Sequence, residues 1–151
     1  MSTTVILTAL GQTLFADTAY IQGETILSLN GIESTHKNRF SIQLDDERHL
    51  NPFPDMDVDE QISRCPWMVT NHSCNPNVKI VGRQFVAIRD IQANEPITFD
   101  YETTEWEMDE PFSCGCGAEN CRGQIRGYAF LSDDEKQCLK DITAAYLLNP
   151  S

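Results

Sequence analysis

Asn71-His72-Ser73-Cys74-Asn75-Pro76-Asn77 decides the reading of this chain, because it sets a cysteine among asparagines and a proline, upstream of a second thiol group, Cys114-Gly115-Cys116 with Cys121. Three thiolates on one short, glycine-containing loop need a fourth ligand to close a tetrahedral zinc site, and Cys74 is placed to provide it. The metal would tie the C-terminal loop onto the middle of the domain. A loop held in that way forms one wall of a binding site.

Composition bounds the rest. At 151 residues and 40% hydrophobic, the chain fits one compact domain with a real core and one site. The 11 Lys and Arg against 23 Asp and Glu give a net charge of −12, which argues against general phosphate-backbone binding and favours basic partners. Direct nucleic-acid binding is therefore not expected. Residues 1–20 carry no basic residue ahead of the apolar stretch 5–10, which is too short for a signal-peptide core or a membrane span. The expectation is an intracellular protein, cytoplasmic or nuclear, with reduced thiols. There clustered cysteines favour metal over disulfides. Cys65 and Cys138 are left over and read as small buried apolar side chains.

Short extended segments dominate. Residues 5–10, 13–16, 25–29 and 40–44 carry β-branched and aromatic residues bounded by glycine, asparagine and charge, and read as strands. Acidic residues 55–60 follow Pro52 and Pro54 and read as an exposed loop entering a helical turn at 61–64. Residues 78–81 and 84–88, split by Gly82-Arg83, read as a hairpin, and 97–101 as a further strand. Ser132 with Glu135 makes a capping box, and Cys138, Leu139, Ile142, Ala145 and Tyr146 recur at helical spacing, so a C-terminal helix is expected with one face on the sheet. His36, His49, the run 55–60 and the stretch 102–110 read as solvated surface. The sum is one β-rich unit with a C-terminal helix.

The asparagine motif, then Ile97-Thr98-Phe99-Asp100-Tyr101, then Cys-x-Cys-x4-Cys followed by Arg122-Gly123, resemble in order and spacing the two core motifs and the post-SET zinc loop of SET-domain methyltransferases. Gly11-Gln12-Thr13-Leu14-Phe15-Ala16, Gly23-Glu24-Thr25-Ile26 and Gly31-Ile32-Glu33 are similar to that family's opening strands, so the resemblance runs from about residue 10 to about residue 127. It implies a mainly β, knotted SET fold with short helices: a SET domain over 1–110, a post-SET zinc-binding segment over 111–130 and a C-terminal helix over 131–151, in one structural unit.

The resemblance further implies S-adenosylmethionine beside the meeting point of the Asn71 and Tyr101 segments, a structural zinc on Cys74, Cys114, Cys116 and Cys121, and an acceptor entering from the opposite face through a narrow channel. Methyl transfer is then an in-line displacement, in which orientation removes much of the barrier. Tyr101 is the expected catalytic residue, its neutral phenol hydrogen-bonding the acceptor or the methyl environment. Asn71 and His72 match the family's cofactor-contacting pair, the backbone at Gln12 and Thr13 would line the methionine end, and Gly115 would lie against the adenosine.

Departures from the family pattern bear on the acceptor. Thr13 stands at the second glycine of the cofactor turn, Leu29 at a channel tyrosine, Phe40 at an often-tyrosine position, Met68 at an arginine, and Gln124 at an aromatic that Tyr128 or Phe130 would have to replace over the adenine. Fewer channel hydroxyls suit an acceptor that is already a nucleophile, such as a carboxylate. The leaning is therefore to a non-histone substrate, a small-molecule carboxylic acid undergoing O-methylation. The −12 charge favours the alternative, a lysine-bearing protein. A third reading is a zinc-stabilised SET-like binding module without catalysis. Oligomeric state is open.

Overall fold

The β-branched residues of the N-terminal half form short antiparallel pairs. β1 (Thr3–Thr8) and β2 (Gly11–Ala16) are one such pair, with Val5 opposite Leu14. The structure is a computed structural model that describes residues 3–8 and 11–148, the side chains of β1 and Gly11 aside; residues 9–10, the end of the expected first strand, lie outside the described residues. Leu14 and Ala16 are fully buried, as the alternation of a half-buried strand requires. β2 is also tied to the later chain, through Ile97 N to Leu14 O at 2.9 Å.

β3 (Thr25–Ser28) is followed by β4 (Ile32–Ser34), β5 (Ile42–Gln43) and β6 (His49–Asn51). The expected strand over 40–44 shortens to β5 because the Asn38 side-chain amide oxygen accepts from the Phe40 and Ser41 amides, giving those residues to an asparagine turn. β6 lies between β4 and β5 and is buried throughout. His49 is on it, so it is not a surface histidine as expected: burial pushes its pKa down and keeps the ring neutral. His36 is exposed, as expected.

Asp57 caps α1 (Val58–Arg64), accepting from the Glu60 amide at 2.8 Å; the acidic loop thus supplies the start of the helix. β7 (Asn71–His72) comes next, then the expected hairpin of β8 (Val78–Val81) and β9 (Gln84–Ala87), turned at Gly82 with φ +61°. β3 pairs with β9, giving the order β3-β9-β8. β10 (Thr98–Phe99) pairs parallel with β7, and Tyr101 leaves the strand to open a 3-10 turn whose N-cap is Asp100. The expected strand 97–101 therefore ends early. One core joins these sheets through Leu14, Leu50, Trp67, Phe85, Ile97 and Phe99, each worth about 1.5–3 kcal/mol of burial. Cys65 is buried in it, as expected.

β11 (Phe112–Ser113) and β12 (Gln124–Ile125) pair antiparallel at the base of the cysteine loop. The capping box at Ser132 and Glu135 is present, but the helix it opens, α2 (Asp133–Leu139), stops early. The Thr143 hydroxyl donates to the Leu139 carbonyl at 2.7 Å while its backbone turns extended, and α3 (Ala145–Leu148) restarts beyond it. Leu139 and Leu147 pack with Tyr128 and Leu131 in a second small core rather than on the sheet. Cys138 falls on the outer side of α2 and is exposed, against expectation. No helix among the described residues is long and apolar enough to cross a membrane.

Candidate active site and metal centre

The parallel pairing of β7 and β10 sets Asn71 beside Thr98 and His72 beside Phe99, and so brings the asparagine motif to the root of Tyr101. Asn77, read from sequence only as part of the motif, fixes this seam. It is buried, its amide nitrogen donates to the Pro96 carbonyl at 2.7 Å, and its amide oxygen accepts from Thr98 N at 2.9 Å. Asn71 bridges to β2, its Nδ2 donating to Thr13 Oγ1 at 3.1 Å. Thr13 is buried, whereas Gln12 is exposed. The substituted turn position is thus occupied by a side chain that Asn71 uses.

His72 turns its ring inward. The side chain is 2% exposed although the residue is half-buried, so the accessible part of His72 is its backbone. Its Nδ1 accepts from Tyr101 N at 3.1 Å, and burial, reinforced by the Arg122 charge, pushes its pKa down to about 3. A neutral ring that accepts at Nδ1 carries its proton on Nε2, which lies 3.3 Å from Cys74 Sγ. The imidazole therefore donates to a sulfur of the cysteine cluster and orients it, as partners of metal ligands do.

Cys74, Cys114, Cys116 and Cys121 place their Sγ atoms within 4.8 Å of one another, with Cys74 and Cys114 at 4.0 Å. A tetrahedron of sulfurs at the usual zinc bond length has edges of about 3.8 Å, so the donor set fits a four-coordinate thiophilic metal. Burial pushes the Cys74 and Cys114 thiols up, Cys114 to about 11. At Cys116 backbone and thiol donors outweigh burial and pull it down to about 6. Gly115 sits exposed between two of these residues, where a Cβ would meet nothing within 4 Å.

Arg122, next to the last cysteine, locks the cluster to the Tyr101 turn. Its Nη2 lies 2.6 Å from both Asp100 oxygens and its Nε 2.8 Å from Glu102 Oε1. Burial opposes its charge, but the two carboxylates raise its pKa above the ordinary arginine value. Glu102 Oε2 also accepts from the Arg126 and Gly127 amides, both at 2.9 Å. Gly127, at φ +125°, admits no side chain: a Cβ would come 2.5 Å from the Trp106 carbonyl oxygen. Glu102 and Glu105 are thus buried, not part of a solvated stretch as expected.

Tyr101 is packed by the rings of His72, Phe99 and Phe112 and donates its hydroxyl to the Thr70 carbonyl at 2.6 Å. Burial pushes its pKa well above that of a free phenol, so the ring stays neutral. It lines a narrow cavity of about 50 Å³ with Phe40, Met68, Thr70 and Glu105 among its other walls. Gln12, Thr13, Asn71, His72 and Gly115 are not among those walls. Neither is Leu29, which is buried in the core, so its departure from the family pattern does not touch this cavity. Tyr128 is held in the C-terminal core, and Phe130 lies exposed under the Arg126 guanidinium.

A family model described as the SET domain matches residues 11–102. Among curated relatives, methyltransferase flvH of Aspergillus flavus is 37% identical over 84 residues, covering 53% of this chain and 43% of that protein. A histone-lysine N-methyltransferase, H3 lysine-4 specific, of Saccharomyces cerevisiae is 42% identical over 62 residues, covering 35% of this chain and 6% of its own length. The chain thus spans less than half the length of these relatives. Among solved structures, KRYPTONITE in complex with mCHG DNA and SAH superposes with a TM-score of 0.61 at 19% identity, over 80% of this chain and 28% of that one. With Thr13, Asn71, His72 and Tyr101 all inside the matched span, this chain belongs to the SET-domain family.

Proposed function

We propose that the chain is an S-adenosylmethionine-dependent methyltransferase of the SET type. The observation that carries this reading is the β7–β10 seam, which sets the Thr13–Asn71 pair and the exposed backbone of His72 on a segment continuous with the Tyr101 turn. The fit to the cofactor rests on unused polar groups. Asn71 spends its amide nitrogen on Thr13 and keeps its amide oxygen without a partner among the described residues, and His72 exposes only backbone. Asn71, His72, Gln12 and Thr13 would hold the cofactor, with Gly115 beside it. When bound, S-adenosylmethionine supplies a sulfonium methyl carbon open to in-line attack. The chain's own part is to orient and to exclude water. Tyr101 has committed its proton to Thr70, so its oxygen presents lone pairs to the acceptor. The metal of the four-cysteine set is read as zinc, with a structural role because all its positions are filled by protein.

The acceptor has two readings. Phe40 and Met68 line the cavity without hydroxyls, which supports a small carboxylic acid. The net charge of −12 supports a lysine-bearing protein, and relatives include proteins named histone-lysine N-methyltransferases, while KRYPTONITE has also been solved with an H3(1-15) peptide, DNA and SAH. The expectation against direct nucleic-acid binding rests on that charge alone.

Freshly purified protein is expected to contain one zinc per chain, and chelation should loosen the 112–125 loop before the core melts. Metal analysis well below one equivalent counts against the site. Asn71→Ala should weaken binding of S-adenosylhomocysteine in calorimetric titration, because it removes both the Thr13 bridge and the free amide oxygen; unchanged affinity would remove Asn71 from the pocket. Tyr101→Phe should keep fold and cofactor affinity while lowering turnover by one to a few powers of ten, about 1.4 kcal/mol per tenfold. Wild-type turnover at saturating cofactor would reduce Tyr101 to a packed core ring.

A further inference from the structure

Glu105 is a carboxylate that methyl transfer at Tyr101 does not require. It is 7% exposed and lines the same cavity as Tyr101. Its Oε2 accepts from the Gln43 amide at 2.7 Å and from the Thr104 hydroxyl at 3.0 Å, whereas its Oε1 has no hydrogen-bond partner among the described residues. On the same walls the buried Thr70 hydroxyl is also without a partner. Buried polar atoms are almost always satisfied, so the orphaned Thr70 hydroxyl, on a cavity that also holds a carboxylate oxygen with no partner among the described residues, calls for a ligand group that donates hydrogen bonds. Trp67, Met68, Phe99 and Phe40 give the same cavity an apolar side that suits an aliphatic stem.

We propose that Glu105 selects the methyl acceptor: its free carboxylate oxygen receives the ammonium group of a primary-amine acceptor, accepts its proton, and turns away carboxylic acids. This deepens the methyltransferase reading of the site and rests on it. The acceptor enters as an ammonium ion, whose nitrogen has no lone pair to give. Its N–H bond breaks as an O–H bond forms on Glu105 Oε1, and the nitrogen keeps the electron pair. The neutral amine then has the nucleophile that attack on a methyl carbon requires. Burial pushes the Glu105 pKa up to about 7, against the pull of the Gln43 amide, the Thr104 hydroxyl and the Lys37 charge, which suits a group that must both ionise and take a proton near neutrality. Arg39, Asp109 and Glu110 line the same cavity, and Tyr146 from α3 feels the Glu105 charge. A carboxylic acid placed there would set two carboxylates together and leave one protonated.

The test uses the metal-loaded full chain and two small probes, n-butylammonium and n-butyrate, titrated by NMR or calorimetry at about pH 8 and about pH 5.5. Butylammonium should bind and butyrate should not. Because Glu105 is ionised above its raised pKa and neutral below it, butylammonium should bind more tightly at the higher pH. Glu105→Gln keeps an amide oxygen for Gln43 and Thr104 and should fold, yet lose about tenfold or more in butylammonium affinity together with its pH dependence. Glu105→Asp, which restores the charge, should recover the pH dependence in part. Equal binding of the two probes, pH-independent binding of butylammonium to the wild type, or a Glu105→Gln variant with the wild-type affinity and pH profile would each overturn the proposal. S-adenosylhomocysteine titrated into the same samples reads the methyltransferase assignment separately: lost cofactor binding with retained amine binding fails that assignment, not the amine preference of Glu105.

Discussion

The buried guanidinium of Arg122, held between Asp100 and Glu102, is the interaction on which the site depends. Those two carboxylates flank Tyr101 in sequence, and Arg122 directly follows the last residue of the four-cysteine cluster. One side chain therefore sets the spacing between the cysteine loop and the turn that carries Tyr101. Glu102 extends the connection to the Arg126 and Gly127 amides, and the tight passage of Gly127 against Trp106 brings the chain past Glu105. The arrangement stands only while all partners are present. Removing one member of a buried ion pair costs about 3–5 kcal/mol, a large part of the 5–15 kcal/mol that holds a typical domain together.

The cysteine cluster meets the Tyr101 turn by a second route as well. His72 receives the Tyr101 amide on Nδ1 and gives its Nε2 proton toward Cys74, so the ring joins the turn to the cluster from the other side. Tyr101 is consequently braced from its own backbone, from both sequence neighbours and through its hydroxyl on Thr70. In the catalytic role proposed for it, a phenol fixed in this way would lose little entropy on meeting an acceptor, the kind of preorganisation that methyl transfer needs.

The residue types and spacing of the motifs made the cysteine set legible in sequence, and the resemblance they carry the meeting of the Asn71 and Tyr101 segments, but not the Arg122 network or the inward-turned His72 ring. The four cysteines and the hairpin at Gly82-Arg83 needed only local rules. The strands β4 and β6 carry too few residues for a period to show, and the turn that shortens β5 depends on the Asn38 side chain rather than on hydrophobic pattern. Glu102 and Glu105 misled for a different reason. A run rich in acidic residues normally faces water, and only the long-range partners Arg122 and Gln43 explain why these two do not. The C-terminal helix failed at Thr143, where a hydroxyl bond to the preceding turn competes with a periodicity that otherwise continues. His49 was hidden in the same way, since the burial of β6 comes from strands on both its sides.

The link from cluster to turn is tested most directly by hydrogen exchange on the metal-loaded chain carrying Arg122→Lys, which keeps the charge but cannot span Asp100 and Glu102 with a planar fork. Residues 100–105 and 112–127 should lose protection together while the β3-β9-β8 sheet keeps its own. Unchanged protection in both segments, or a loop that loosens while the Tyr101 turn stays protected, would contradict the account.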